Sequence, residues 1–399
     1  MSGAASGAAS GAASGAASGA ASGAASGAAS GAASGAASGA ASGAASNAFA
    51  PGSSILAEAL RRNREAIIDP AQAGRYAPSI SKQLPLEDNP AVLSVKLNRS
   101  EAWVPRYLAL QSSLSGLSFS MQRNTVQMLV KGNAALALTR PSLAAQTAQI
   151  PELLDLALLR EDRSSEILVQ TTETLAFWRS ILPFESVGHA HTQSLLAIAL
   201  ELCVVIHMRF KHHFACLRPD QLSPQVQPMI PTPRHGSYPA GHFAEAALTA
   251  RLLSQLSRFK APRARSRTQP SPAWEQLNVQ LWRQALRIGD NRVVAGVHFP
   301  LDNLAGGAVG LWCADYVMAL AGAAAGTGTI GSRLAFDPAD FSTAAQRSLL
   351  DSEASLAQAL APKRPGRPIA IETDPLFAYL WSQARAELQG IDPEGDARE

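Results

Sequence analysis

The sequence predicts an all-α fold: a single large helical domain on a helix-bundle core, preceded by a disordered low-complexity tail. Three observations predict it. Apolar residues make up 47% of the chain but aromatics only 6%, an alanine-weighted balance that suits close-packed helices better than a β-sandwich. Apolar positions recur every three or four residues in most segments. No stretch shows sustained two-residue alternation with turn signals at hairpin spacing.

The chain of 399 residues divides unequally. Residues 1–46 are almost entirely a Ser-Gly-Ala-Ala repeat, running from Ser2 to Ala45. With no charge and no branched apolar residue, that tract cannot bury a core, and it reads as a tail. It lacks the charged start and apolar stretch of a secretory signal, so a cytoplasmic location is the default expectation. Residues 47–399 form the expected helical domain, with the candidate site inside 207–306.

The elements follow in order. Ser53 to Ile68 reads as an amphipathic helix with a Ser cap. Prolines between Asp69 and Asn98 imply an extended connector. Trp103 to Leu117 and Thr125 to Leu138 are helix candidates. Pro151 opens another, since its missing N–H costs little in a first turn. Glu166 to Leu182 predicts a longer amphipathic helix, and His191 to Leu217 one long helix stopped by Pro219. Four prolines between Leu222 and Gly236 mark a loop. A helix restarts near Gly241, Lys260 to Pro272 is an exposed linker, and Ala273 to Ile288 is helical. Pro300 opens a long Ala/Gly-rich helix, and Ser342 to Leu360 and Pro375 to Leu388 complete the set.

Composition excludes some partners. A net charge of +3, without a dense basic run interleaved with aromatics, argues against nucleic acid. Cys203, Cys216 and Cys313 each lie in an apolar stretch and none forms a CxxC pair, so they read as buried free thiols. Leu304 to Gly326 is long enough to span a membrane, but Asp315 sits near its middle and its Gly/Ala content lowers its hydrophobicity. Leu195 to Met208 is shorter and contains Glu201. Both read as buried helices of a soluble bundle, with no membrane span.

Between Lys211 and Asp302 lie three patches of cationic and imidazole side chains. The first holds Lys211 and Arg218, seven apart, a spacing that places both on one helix face. Arg offers a rigid fork to an oxyanion and Lys a point charge. Nearby His207, His212 and His213 read as surface or packing residues. In the second, His235 precedes Pro239, Ala240, Gly241 and His242. A helix starting at Gly241 presents unpaired N–H groups to an anion, and His242 in its first turn can pass a proton to an atom bound there. In the third, Arg292 precedes His298, and Asp302 follows that histidine by four, a spacing that lets a carboxylate orient the imidazole. Gly306, Gly307 and Gly310 would let helices pack closely underneath.

Together these residues resemble the family that unites vanadium-dependent haloperoxidases with type 2 phosphatidic acid phosphatases and class A bacterial acid phosphatases. Its motifs KxxxxxxRP, PSGH and SRxxxxxHxxxD are similar to Lys211–Pro219, Pro239–His242 and Asn291–Asp302 here. The resemblance implies that Lys211, Arg218 and Arg292, with the Gly241 amide, hold the oxygens of vanadate, with phosphate as the competing occupant. It implies that His298 is the vanadium ligand of a peroxidase or the phosphorylated nucleophile of a phosphatase, with His242 as acid–base residue.

Two departures matter. The motif serine is Ala240, which removes a hydroxyl donor worth roughly 1.5–3 kcal/mol to a charged acceptor. The first residue of the third motif is Asn291 instead of serine. The segment from His235 to His242 resembles the HPSYPSGH form of bromide- and iodide-oxidising members, and the soluble character favours that branch over the lipid phosphatases. The expected activity is a vanadate-dependent haloperoxidase acting on hydrogen peroxide and halide. The alternatives are a phosphatase acting on a phosphomonoester through His298, and a degenerate oxyanion-binding homologue. The Ala/Leu faces after Ser342 would suit a homo-oligomer, which nothing in the sequence demands.

Overall fold

The computed structural model describes Glu58 and residues 103–184, 188–258, 271–323, 329–330, 334–340, 352–360 and 367–389. The chain divides into two compact units, Met1–Tyr107 and Leu108–Glu399, and the second carries the site. The repeat tail, the 69–98 connector and most of the 260–272 linker lie outside the described residues. So does the predicted Ser53–Ile68 helix, except that Glu58 is helical.

The described residues are mostly helical, as expected. Helix α1 covers Trp103–Ser115. Four short helices follow: α2 (Leu143–Thr147), α3 (Ile150–Leu156), α4 (Arg160–Val169) and α5 (Leu175–Arg179). The large ones are α6 (Ala190–Phe214), α8 (Gly241–Leu256), α9 (Pro272–Val294) and α10 (Pro300–Leu320), with the one-turn α7 (Pro219–Leu222) after α6. Helices α11 (Glu353–Leu360) and α12 (Pro375–Gln389) close the domain. Helix α8 is central, packing on α6, α9 and α10, while α12 lies along α6.

Small residues allow that core to close. A Cβ at Gly306 would stand 2.4 Å from the Ala240 carbonyl oxygen, and one at Gly310 would stand 2.2 Å from that of Ala244. Both distances are far inside van der Waals contact, so the two glycines let α10 lie directly on the start of α8. The close packing expected of these glycines is present. The thiols of Cys203, Cys216 and Cys313 are free and buried. The segment Ala190–Leu222 is long and apolar enough to cross a membrane by length and composition, and half of that window is buried inside the protein.

Three predicted elements need correction. Thr125–Leu138 is not a helix but a hairpin. Strands β1 (Leu117–Met121), β2 (Thr125–Val130) and β3 (Asn133–Thr139) pair antiparallel. Val126, Met128 and Val130 alternate inward, a two-residue period that the Ala/Leu content of β3 obscured. The turn is Lys131-Gly132 with φ of 48° and 79°, the doubly positive geometry of a two-residue hairpin turn, here without the usual Asn-Gly signal. After β4 (Thr329–Ile330), strand β5 (Leu334–Phe336) joins β3 in parallel, giving the sheet order β1-β2-β3-β5. A second, two-stranded sheet pairs β4 with β6 (Ile369–Ala370).

The predicted Glu166–Leu182 helix is two helices, α4 and α5, separated at 170–174. The predicted His191–Leu217 helix ends at Phe214. Ala215 adopts a left-handed conformation with φ of 46° and donates its N–H to the Lys211 carbonyl. Pro219 therefore does not stop α6. It opens α7, with Arg218 just before it in an extended conformation.

Candidate functional site

Lys211 sits in the last turn of α6, but Arg218 does not share its helix face. The chain reverses at Ala215 and brings the guanidinium back by a loop. Gly236 makes this possible, because a Cβ there would stand 2.9 Å from the Lys211 carbonyl oxygen. Lys211 is buried, and its ammonium donates to the carbonyls of Gly236 (3.1 Å) and Ser237 (2.9 Å), leaving one of three N–H bonds. Burial, then the charge of Arg218, bring Lys211 down to about 7.

The Arg218 fork is fully engaged. Its Nε donates to the His235 carbonyl (3.2 Å), and Nη1 donates to the Val297 carbonyl (2.6 Å) and to His298 Nε2 (3.1 Å). Nη2 reaches His235 Nδ1 (3.1 Å) and the Gly236 carbonyl (3.3 Å). Because arginine only donates, His298 Nε2 must carry its lone pair. The other ring nitrogen, Nδ1, then bears the proton and donates to Asp302 Oδ2 (3.0 Å). Burial, then Arg218 and Lys211, hold His298 well below the ordinary imidazole value, so the neutral ring persists.

Asp302 has a second task. The oxygen that orients His298 also accepts from the Phe299 amide at 3.0 Å and so caps the start of α10. Its backbone carbonyl accepts the Ala240 amide at 2.8 Å, tying the second patch to the third. Burial pushes the Asp302 carboxyl up to about 6.

Ala240 is the buried residue just before α8. Among the described residues, the first-turn amides of Gly241, His242 and Phe243 have no backbone acceptor, as a helix start dictates. His242 is partly buried and its ring makes no hydrogen bond among the described residues. Burial, then Arg292, lower it to about 4. His235 is exposed, and partial desolvation followed by Lys211 lowers it too.

Arg292 lies in the last turn of α9 and is buried. Its Nη2 donates to the Ile167 carbonyl (2.9 Å) and to Gln170 Oε1 (3.2 Å), while Nε and Nη1 are buried without a partner among the described residues. Burial lowers this arginine to about 10, still charged at neutral pH. Two orphaned, charged donors beside a helix start are what a tetrahedral oxyanion would satisfy. Among the described residues no group of three or more His, Cys, Asp or Glu could hold a bare metal ion.

The structure thus brings all three patches together and separates only Lys211 and Arg218 from their predicted shared helix face. It also shows what Asn291, the departure in the third motif, does, and residues that motif spacing did not single out. Asn291 is buried and donates to Gln170 Oε1 at 2.9 Å, the oxygen that also takes Arg292. Arg160 ties the end of α9, ahead of His298, to the 226–227 segment through the carbonyls of Val294, Val226 and Gln227. His207, read as a surface or packing residue, is buried one turn before Lys211 with Nε2 3.1 Å from Glu245. Its four-residue offset from Lys211 was the available signal.

Cations on α6, α9 and the loop before α7, a histidine–carboxylate pair at α10 and a helix start at Gly241 all lie within one stretch that a family model matches. Residues 190–325 match the model described as PAP2 superfamily. This stretch is similar to PAP2 superfamily domains, and the match supports that superfamily. The superfamily covers phosphatases and haloperoxidases, both of them enzymes. No curated protein matches the chain. The PAP2 match contains every residue named above as a candidate ligand or catalytic group, and it ends just beyond α10.

Proposed function

We propose that this domain is a vanadate-dependent haloperoxidase that oxidises bromide or iodide with hydrogen peroxide. The observation that carries the reading is His298: its Nε2 is unprotonated and turned to the Arg218 guanidinium, inside a cage of buried cations. That nitrogen suits a ligand to vanadium. Lys211, Arg292 and the Gly241 amide would hold its oxygens, and the Arg292 Nε and Nη1, unpartnered among the described residues, fit that demand. Vanadate, when bound, supplies activation of peroxide toward halide.

The chain's own groups do the rest. Asp302 fixes the His298 tautomer, and the cations spread negative charge away from the bound oxygens. His242 holds or releases a proton at the open side of the helix start. An anion held there would offset the Arg292 charge that lowers His242, and so would ease its protonation. His235, exposed next to Arg218, would face arriving halide.

A second reading is favoured by the same imidazole. An unprotonated Nε2 backed by Asp302 is also a nucleophile toward a phosphomonoester. The Nε2–P bond forms as the ester P–O bond breaks, with His242 giving its proton to the leaving alkoxide. Water activated by His242 then cleaves the phosphohistidine.

The two separate cleanly in assay. Protein reconstituted with orthovanadate should brominate or iodinate phenol red when given peroxide and halide. Turnover of p-nitrophenyl phosphate without any halide oxidation would replace the first reading with the second. Silence in both, with no rise in Tm on adding vanadate, would leave the degenerate oxyanion-binding alternative without its ligand as well.

A further inference from the structure

The site contains a second histidine–carboxylate unit that no motif describes. Glu245 follows His242 by three residues on α8, so the two side chains lie on neighbouring positions of one face. From α6, His207 sends Nε2 to Glu245 Oε1 at 3.1 Å. The His207 ring is buried and lies directly over Gly241, where a Cβ would stand 3.0 Å from Cε1 and 3.1 Å from Nε2. Its Nδ1 is buried with no partner among the described residues. The pair therefore bridges α6 and α8 at the same turn that offers the Gly241 amide and the His242 ring.

The charges around His242 give this pair a task. Arg292 faces His242 from α9 and Lys211 from α6; His207 faces it as well, but burial lowers that ring below the ordinary imidazole value, so at neutral pH it adds no charge. An imidazole in such company resists protonation, yet an acid–base residue must be able to hold a proton. Glu245, from its own helix, opposes the two cations. Against burial, which pushes it up, the His207 hydrogen bond and the nearby His242 and Lys211 keep Glu245 below the usual carboxyl value, hence charged.

We propose that Glu245, clamped by His207, is the counter-charge through which His242 can hold its proton, so that the site carries two histidine–carboxylate contacts with different tasks: His298–Asp302 for the bound atom and His207–Glu245, set three residues along α8 from His242, for the proton. This rests on the oxyanion-enzyme reading above, in which His242 is the acid–base group. Glu245 acts through His242 and is not itself a catalytic residue. The arrangement also explains why Gly241 has no side chain: any Cβ would push the His207 ring off Glu245.

The test follows the His242 ring itself, by NMR titration of the free protein with ring-labelled histidine. Glu245→Gln should lower the His242 midpoint by about one unit, a roughly tenfold smaller protonated fraction at fixed pH above it. Glu245→Asp should restore most of the shift, and His207→Gln should move the midpoint the same way by less. A midpoint that stays put in Glu245→Gln while Tm falls would overturn the proposal and reduce the pair to a brace between α6 and α8. Should Glu245→Gln fail to fold, an unmoved midpoint in His207→Gln overturns it equally. The titration needs no turnover, so it decides this assignment separately from the oxyanion reading, which fails instead if wild-type protein binds neither phosphate nor vanadate.

Discussion

Nη1 of Arg218 stands 3.1 Å from Nε2 of His298 and donates into the one lone pair the imidazole has to offer. An atom that bonds to Nε2 must therefore displace that contact, and the freed N–H becomes available to the newcomer's own oxygens. Binding would exchange a neutral acceptor for a charged one, the stronger partner for a guanidinium. Arg218→Lys removes the fork while keeping the charge. It is expected to lose roughly 1.5–3 kcal/mol of anion binding, about a ten- to hundredfold rise in Kd. Calorimetric titration with vanadate measures it, and an unchanged Kd would place the anion elsewhere.

Ala240 is the place where the second patch lacks a donor. Its amide is already committed to the Asp302 carbonyl, and its Cβ lies 3.4 Å from the position a Gly306 Cβ would take. Ala240→Ser is expected to tighten vanadate or phosphate about ten- to hundredfold if the hydroxyl reaches the anion. The substitution adds one atom next to a glycine, so Tm should change little. Equal affinity of both proteins would mean the Ala240 side chain faces away from the ligand.

Lys211 links binding to protons. Its folded value of about 7 lies below the ordinary 10.5 because burial disfavours the ammonium. A depressed lysine contributes stability that is full above 10.5 and is lost as pH falls toward 7. The empty protein should therefore grow more stable from pH 7 to 10, and Lys211→Met should flatten that slope. A bound dianion restores the ammonium, so binding at pH 8 should take up protons. Titration with sulfate in two buffers of different ionisation enthalpy reads the uptake, and a heat independent of buffer would contradict the assignment.

Much of this was legible in the chain because it depends on local spacing. His298 and Asp302 are one helical turn apart, and a carboxylate at that offset finds the ring wherever the helix lies. Gly306 and Gly310 announced close packing for the same reason. What spacing could not carry was reversal. Seven residues separate Lys211 from Arg218, which suits two helical turns, yet Ala215 enters the left-handed region and breaks the count. The hairpin was missed because Ala and Leu in β3 favour helix locally, and pairing with β2 and β5 overrides them. That sheet bears on the site, since Tyr238 within the second patch donates its hydroxyl to the Thr139 carbonyl of β3 at 2.9 Å and packs on Phe336 of β5. Long-range partners such as Gln170 for Arg292 carry no periodic signal at all.

That dependence on the sheet gives its own prediction. Tyr238→Phe keeps the ring against Phe214 and Phe336 but leaves the Thr139 carbonyl without its donor. Loss of one buried hydrogen bond should cost about 1 kcal/mol of stability. Denaturant unfolding reads that cost, and anion affinity should fall less than in Arg218→Lys because no ligand group is removed.

The start of α6 supplies a prediction independent of the site. Glu387 on α12 accepts the amides of His191 (2.9 Å) and Thr192 (2.8 Å) and the Thr192 hydroxyl (2.7 Å). It thus caps the unpaired donors of a 25-residue helix and faces the positive end of its dipole. Burial pushes this carboxyl up, but the Thr192 hydroxyl and the two amides hold it below the usual value. A depressed carboxyl contributes stability that is present above about pH 4.5 and is lost as pH falls through the lower folded value. Glu387→Gln should therefore lose about 1–3 kcal/mol at neutral pH, and the gap from wild type should close below pH 4. Equilibrium unfolding across that range measures both. A gap that persists unchanged at acid pH would mean that Glu387 supports α6 through packing against α12 and not through its charge.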